Sequence, residues 1–215
     1  MIPKIIHAIW IGPLQPPMKL LNTWLKKNPG WEFRLWNSNS LPWKNRERID
    51  CIPELNGKAD IMRYEILAEH GGIYVDADME CLRPLDEEPS FREHEAWACY
   101  ENETVRPGLV ATTVLGAHPH SPLFLDLVEG ITKITPTYLR NAAAWVSVGP
   151  VYLTQTIARH PSTHLYPARA FLPEHYDNTP APGDFPSYGR HHWGTTRNQW
   201  PTIIALSEKR GEATK

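Results

Sequence analysis

Residues 59–78, ADIMRYEILAEHGGIYVDAD, constrain this chain more than any other stretch. Residues 59–70 carry a strong helical pattern. The glycine pair Gly71-Gly72 stops it, as a C-terminal glycine cap does. Ile73-Tyr74-Val75 then reads as a short buried strand that runs straight into Asp76-Ala77-Asp78. A helix joined to a strand by so tight a link must lie back against it. The pattern therefore predicts an α/β chain in which Asp60 and Arg63, sharing a helix face at i and i+3, approach two carboxylates at a strand end, where open α/β sheets bind ligands.

The flanking sequence extends this unit. Residues 5–11 are β-branched and aromatic and end at Gly12-Pro13, which predicts a buried first strand and a turn. Met18, Leu21 and Leu25 recur at helical spacing, with Lys19, Asn22 and Lys26 on the other side, and Asn28-Pro29-Gly30 stops that helix. Residues 31–36 (WEFRLW) alternate as a second strand, so strand, helix and strand open an α/β unit. Asn56-Gly57 reads as a loop. Further strands are expected at 96–100 and 109–115, and helices near 123–134 and 151–159. Among 21 prolines, Pro161, Pro167, Pro173, Pro180, Pro182 and Pro186 crowd into 160–190, which predicts ordered loop there. The length of 215 residues suits one domain, expected at 1–206, with a frayed polar tail at 207–215.

Composition excludes several classes. Lys and Arg total 22 against 24 Asp and Glu, a formal net charge of −2, so no electrostatic case exists for nucleic acid or an anionic bilayer. Cys51, Cys81 and Cys99 form no CxxC and no zinc spacing, and read as small buried hydrophobes. The apolar start MIPKIIHAIWIG is short and broken by Pro3, Lys4 and His7, unlike a secretory leader. No run approaches the ~20 apolar residues that cross a bilayer. The expectation is a cytoplasmic protein without a transmembrane segment, meeting the inner face of a membrane only peripherally, through its substrate. G-x-S-x-G, P-loop, H-E-x-x-H and G-x-G-x-x-G patterns are all missing.

The chemistry is expected at Asp76 and Asp78. If the strand continued, residues two apart would point to one side, and two carboxylates there repel unless a cation joins them. Oxygen ligands at that spacing suit Mg²⁺ or Mn²⁺ and leave open positions for a diphosphate. A bare D-x-D also occurs in turns, where Asp caps backbone amides. Arg63 offers a planar fork to phosphate or sugar oxygens, and its bland alternative is a surface pair with Asp60, worth little. Trp10, closing the first strand, could stack on a base or pack in the core. His191-His192-Trp193-Gly194-Thr195-Thr196-Arg197 could supply a metal ligand, a close backbone approach and a phosphate cation. The other histidines, His7 and His175 among them, read as structural.

With these residues in view the chain resembles the DXD-containing sugar transferases of glycosyltransferase family 32, related to the large glucosylating bacterial toxins. IPKIIHAIWIG, NPGWEFRLWN and ADIMRYEILAEHGGIYVDADMECLRPLD carry the likeness over residues 2–86, followed in order by Gly149-Pro150 and the 191–200 segment. The resemblance implies a single GT-A domain, a Rossmann-like mixed sheet flanked by helices. It implies a UDP- or GDP-sugar donor, Mn²⁺ or Mg²⁺, retention of anomeric configuration, and a saccharide or lipid-linked glycan acceptor, as in surface polysaccharide synthesis. By motif position, Trp10 stacks on the donor base, Asp60 and Arg63 hold ribose or hexose, and Tyr74 borders the nucleotide. Asp76 contacts ribose and metal, Asp78 binds the metal, and His191 or His192 completes it, with Gly194 and Arg197 at the diphosphate. Thr112-Thr113 stand where many relatives carry an Asn. Glu101, ending an expected strand, is the candidate for a protein nucleophile. The rival readings are a metal-dependent sugar-nucleotide hydrolase or nucleotidyltransferase, which attacks phosphorus, and a non-catalytic carbohydrate-binding protein.

Overall fold

The computed structural model describes residues 1–208. Its elements run β1 (Ile5–Ile9), α1 (Met18–Lys27), β2 (Glu32–Trp36), α2 (Arg46–Cys51), α3 (Leu55–His70), β3 (Gly72–Val75), β4 (Met79–Cys81), β5 (Ala96–Asn102) and β6 (Arg106–Ala117). Then follow α4 (Pro122–Thr132), α5 (Pro136–Asn141), α6 (Ala144–Ser147), α7 (Pro150–Ile157), β7 (His164–Tyr166), β8 (Gly189–His191) and α8 (Trp200–Glu208). Six strands form one sheet in the order β2-β1-β3-β6-β5-β7, and β4 pairs with β8 in a separate antiparallel ribbon. Only β6 runs against its neighbours in the main sheet. The carboxyl ends of β1, β3 and β5 therefore share one edge, together with the first residue of β6.

Side chains alternate between two cores, as a sheet buried on both faces requires. Ile9, Tyr74, Ala96 and Ala98 face a cluster with Ile61 and Leu67 of α3 and Phe124 and Leu127 of α4. Ile6, Ile73, Val75, Trp97 and Cys99 face the other, with Trp24 of α1, Phe91 and Phe171. Cys81 and Cys99 are buried as expected, and Cys51 is half-buried; all three are free thiols.

Several expectations shift. Asn56-Gly57 lies inside α3 instead of in a loop. A Cβ at Gly57 would stand 2.6 Å from Ala144 Cβ and 2.9 Å from Ile52, so this glycine lets the first helical turn close on α6 and the segment before it. The first strand ends at Ile9, two residues early, where the Trp10 N–H bonds the Trp36 carbonyl. The sequence pattern did not reveal α2, α5, α6 or α8. The expected tail at 207–215 falls largely outside the described residues; Ser207 and Glu208 close α8. Among the described residues no helix is long and apolar enough to cross a membrane.

The Gly71-Gly72 link is held from below. Gly71 and Gly72 sit at φ 61 and 95, and a Cβ on Gly72 would fall 2.7 Å from the Ile5 carbonyl and 2.8 Å from His7 Nε2. The Trp36 indole N–H donates to His7 Nδ1 at 3.0 Å. An indole N–H only donates, so Nδ1 is bare, and Nε2 carries the proton given to the Gly71 carbonyl at 2.8 Å. Burial, only partly offset by the Gly71 bond, keeps this ring neutral and lowers its pKa to about 4.

Candidate active site

A cavity of about 460 Å³ opens at the shared sheet edge, lined by residues from β1, α3, β3, β5, β6 and the segment after β8. Asp60 and Arg63 reach it from α3, and both are buried. The Arg63 guanidinium lies 3.3 Å from Asp60 and 3.1 Å from Asp76. It donates to the Thr112 carbonyl at 2.6 Å and to the Ala59 carbonyl at 3.2 Å, and covers the Tyr74 ring at 4.4 Å. The surface-pair alternative for Asp60 and Arg63 fails on burial, and the fork spends its donors on the protein. Burial opposes the Arg63 charge, but Asp76, Tyr74 and Asp60 outweigh it and raise its pKa. Burial, opposed by Arg63 and helped by Asp76, raises the Asp60 carboxyl to about 7.

The strand does not continue through Asp76-Ala77-Asp78. The Asp76 N–H still bonds the Thr113 carbonyl at 2.9 Å, but the Met79 N–H returns to the Asp76 carbonyl at 3.0 Å, making a turn between β3 and β4. The turn serves the geometry that strand spacing was expected to serve. Asp78 lies 3.0 Å and Asp76 3.7 Å from His191 Nε2, and one ligand atom from each of the three falls within 4.8 Å of the others. Tyr74 donates to Asp76 Oδ1 at 2.8 Å and the Gly194 N–H to Asp78 Oδ2 at 2.7 Å. Burial tends to raise the Asp78 carboxyl, but the His191 charge, its hydrogen bond and the Gly194 amide prevail and lower it. Burial also raises Asp76, with Arg63 opposing and Asp78 reinforcing. His191 is raised because the charge of Asp78 and its bond overcome burial. Its Nδ1 is buried without a partner. Two carboxylates and an imidazole fit Mn²⁺ or Mg²⁺ by charge and donor type.

The structure separates the two adjacent histidines. Backbone pairing of β8 with Met79 turns His191 toward the aspartates, while His192 faces Glu80 at 3.3 Å. Trp10 lies at the cavity with its ring edge-on to Trp200, centroids 5.0 Å apart. Arg197 was expected at the diphosphate, but it is absent from the cavity wall. Its guanidinium bonds the Tyr176 carbonyl at 2.8 Å, the His175 carbonyl at 3.1 Å and Asn178 at 2.7 Å, so it braces a loop. Gly194 acts here through its amide on Asp78. Glu101 does reach the cavity, with Arg106, Trp145 and Tyr176, three residues the sequence reading passed over. Nine Trp and eight Tyr, many for 215 residues, are the sequence's one hint of the aromatic pair.

Residues 16–97 match a family model described as a glycosyltransferase sugar-binding region containing DXD motif. The chain carries a DXD glycosyltransferase domain. The aspartates of this DXD domain are Asp76 and Asp78. Inositol phosphoceramide mannosyltransferase 3 of Schizosaccharomyces pombe is 28% identical over 71% of this chain and 44% of its own length. Inositol phosphoceramide mannosyltransferase 1 of the same yeast is 24% identical over 83% and 58%. The chain thus spans about half the length of the curated relatives it matches. In fold, the DXD domain is similar to the PaToxG glycosyltransferase, with a TM-score of 0.55 and 17% identity over 74% of this chain and 70% of that one. A single GT-A-type mixed α/β domain is what the architecture and this neighbour bear out.

Proposed function

We propose that this protein is a metal-dependent, retaining glycosyltransferase that moves a hexose from a UDP- or GDP-sugar to a saccharide or lipid-linked glycan. The observation that carries the reading is the convergence of Asp76, Asp78 and His191 within 4.8 Å at one end of the cavity of a DXD domain. The yeast relatives, named as mannosyltransferases, favour mannose as the sugar.

Asp76, Asp78 and His191 would hold Mn²⁺ or Mg²⁺. The ion supplies positive charge where a departing diphosphate gathers negative charge. Tyr74 and Arg63 fix the Asp76 carboxylate, and the Gly194 amide fixes Asp78, so both are oriented before substrate arrives. Trp10 offers an aromatic face to the base. Asp60, held by Arg63, accepts hydroxyl protons of the donor sugar. Cleavage of the anomeric carbon–oxygen bond leaves an oxocarbenium-like sugar. Retention follows if the incoming hydroxyl approaches the face the diphosphate leaves and yields its proton to a donor phosphate oxygen.

Incubation with UDP-Gal, UDP-Glc, UDP-GlcNAc and GDP-Man, with and without Mn²⁺ and methyl glycosides, tests this reading. The expected result is nucleoside diphosphate released only with the metal, and a product whose anomeric configuration matches the donor. Release of nucleoside monophosphate or pyrophosphate would instead indicate attack on phosphorus. Absence of any turnover or metal requirement would favour a carbohydrate-binding protein.

A further inference from the structure

The far end of the same sheet edge carries a second group of polar side chains that the donor reading leaves unused. Glu101 is next to last in β5, and Arg106 begins β6, which runs antiparallel to it, so opposite strand directions bring both to the cavity. Arg106 Nε and His175 Nε2 each lie 3.2 Å from Glu101 Oε1. Among the described residues no bond falls on Oε2. None of these bonds involves Asp76, Asp78 or His191.

His175 is fully buried. Its other nitrogen, Nδ1, lies 3.1 Å from Asp177 Oδ1, and Asp177 is steadied by the Thr179 N–H at 2.9 Å. Arg197 fixes the backbone of this loop through the His175 and Tyr176 carbonyls. His7 provides a contrast: it too is buried, but it bonds an indole and a peptide carbonyl, as a ring with a purely structural task does. Setting a buried ring between two carboxylates is a poor way to stabilise a loop, because desolvation offsets most of the attraction. It is a good way to hold one carboxylate in a fixed direction. Flat rings stand beside that carboxylate. The Arg106 guanidinium lies 5.5 Å from the Trp145 ring and 6.0 Å from that of Tyr176. Both rings line the cavity, and Trp145 is 47% exposed. A carboxylate that accepts hydroxyl protons, a guanidinium that donates and two aromatic faces form a combination suited to a sugar ring.

We propose that Glu101, Arg106, Trp145 and Tyr176 form the acceptor-saccharide subsite, and that His175 is a positioning residue holding Glu101 toward the acceptor's hydroxyls. The proposal rests on reading the cavity as a glycosyl-transfer site and adds which wall takes the acceptor. Trp10 and Asp60, the latter held by Arg63, are left to the donor.

Binding measurements separate the proposal from the reading beneath it. The protein, with Mn²⁺ and either UDP or GDP, is titrated by NMR with methyl α-mannoside, methyl β-galactoside and methyl β-glucoside. The wild type is expected to bind at least one of them. His175→Ala and Glu101→Gln should weaken that binding about 10- to 100-fold. His175→Gln, whose amide still donates to Glu101, should recover most of it, and nucleotide affinity should not move in the His175 variants. Equal glycoside affinity in wild type and His175→Ala overturns the proposal. So does a wild type that binds nucleotide and none of the glycosides, a result that leaves the donor reading in place. A wild type that binds neither nucleotide nor glycoside overturns both. If His175→Ala does not fold, Asp177→Asn replaces it. That side chain is 41% exposed, and the expected loss is smaller and in the same direction; unchanged affinity overturns the proposal.

Discussion

Asp60, Arg63, Tyr74 and Asp76 reach the cavity from one helix–turn–strand unit, α3 and β3. Glu101, Arg106 and His191 reach it from segments scattered over the rest of the chain, with His175 bonding Glu101 and the Gly194 amide bonding Asp78. The near half is locked by short-range geometry: two glycines set the turn, and one buried guanidinium touches two carboxylates. The far half is assembled by long-range pairing, β4 with β8 and β5 with β6, with loops braced by Arg197. A site of this kind has a rigid part that folds as a unit and an adaptable part that depends on the whole chain.

Asp78 joins the two halves, since His191 and Gly194 both bond it. Asp78→Asn is expected to have the largest effect, a fall of about a thousandfold in metal-dependent nucleoside diphosphate release, with loss of Mn²⁺ binding by calorimetry and an unchanged circular dichroism spectrum. Unchanged turnover would show that the halves need no shared cation. Arg63→Ala should break the near half alone. It strands the buried Asp60 and the half-buried Asp76 and should cost roughly 3–5 kcal/mol of stability, read as a lower urea midpoint. If Arg197→Ala costs as much, the contrast between the halves is wrong.

Acid should also act on the near half, through His7. The unfolded ring takes a proton near 6.5, and the folded ring refuses it until about 4. Between those values the unfolded chain binds more protons, so stability falls as pH drops and returns as pH rises. The expected loss from neutrality to pH 4 is about 3 kcal/mol, and His7→Gln should flatten this slope in urea titrations followed across pH. Trp10→Ala should have the smallest effect. Loss of a stacking face worth about 1–3 kcal/mol should weaken UDP or GDP binding without changing Mn²⁺ affinity, and a loss of both would tie Trp10 to the metal side.

The same division explains what could be read from the sequence. The near half was legible because its residues interact within one or two turns of chain, where spacing fixes direction: Gly71-Gly72 marks the helix end, and Asp60 and Arg63 share a face. The fold class followed, with β1, α1 and β2 in place. Whether the chain stayed extended past Val75 or turned at Ala77 was left open by the sequence, because alternation looks alike in both until the Met79 amide turns back. Arg197 was placed at the diphosphate by motif position, yet its partners, Glu174, Tyr176 and Asn178, lie about twenty residues upstream, beyond the reach of any local pattern. His175 was invisible for the same reason, because its meaning comes from Glu101, 74 residues away in sequence.

The Gly194 amide that grips Asp78 comes 116 positions later in the chain. On a ribosome, the twin aspartates emerge long before the amide and imidazole that restrain them. Until β8 aligns beside β4, Asp78 lacks its partners from the far segment, while Asp76 already has Arg63 and Tyr74. The cluster of Asp76, Asp78 and His191 is therefore completed late in synthesis, as a closing step rather than as a property of the first folded core.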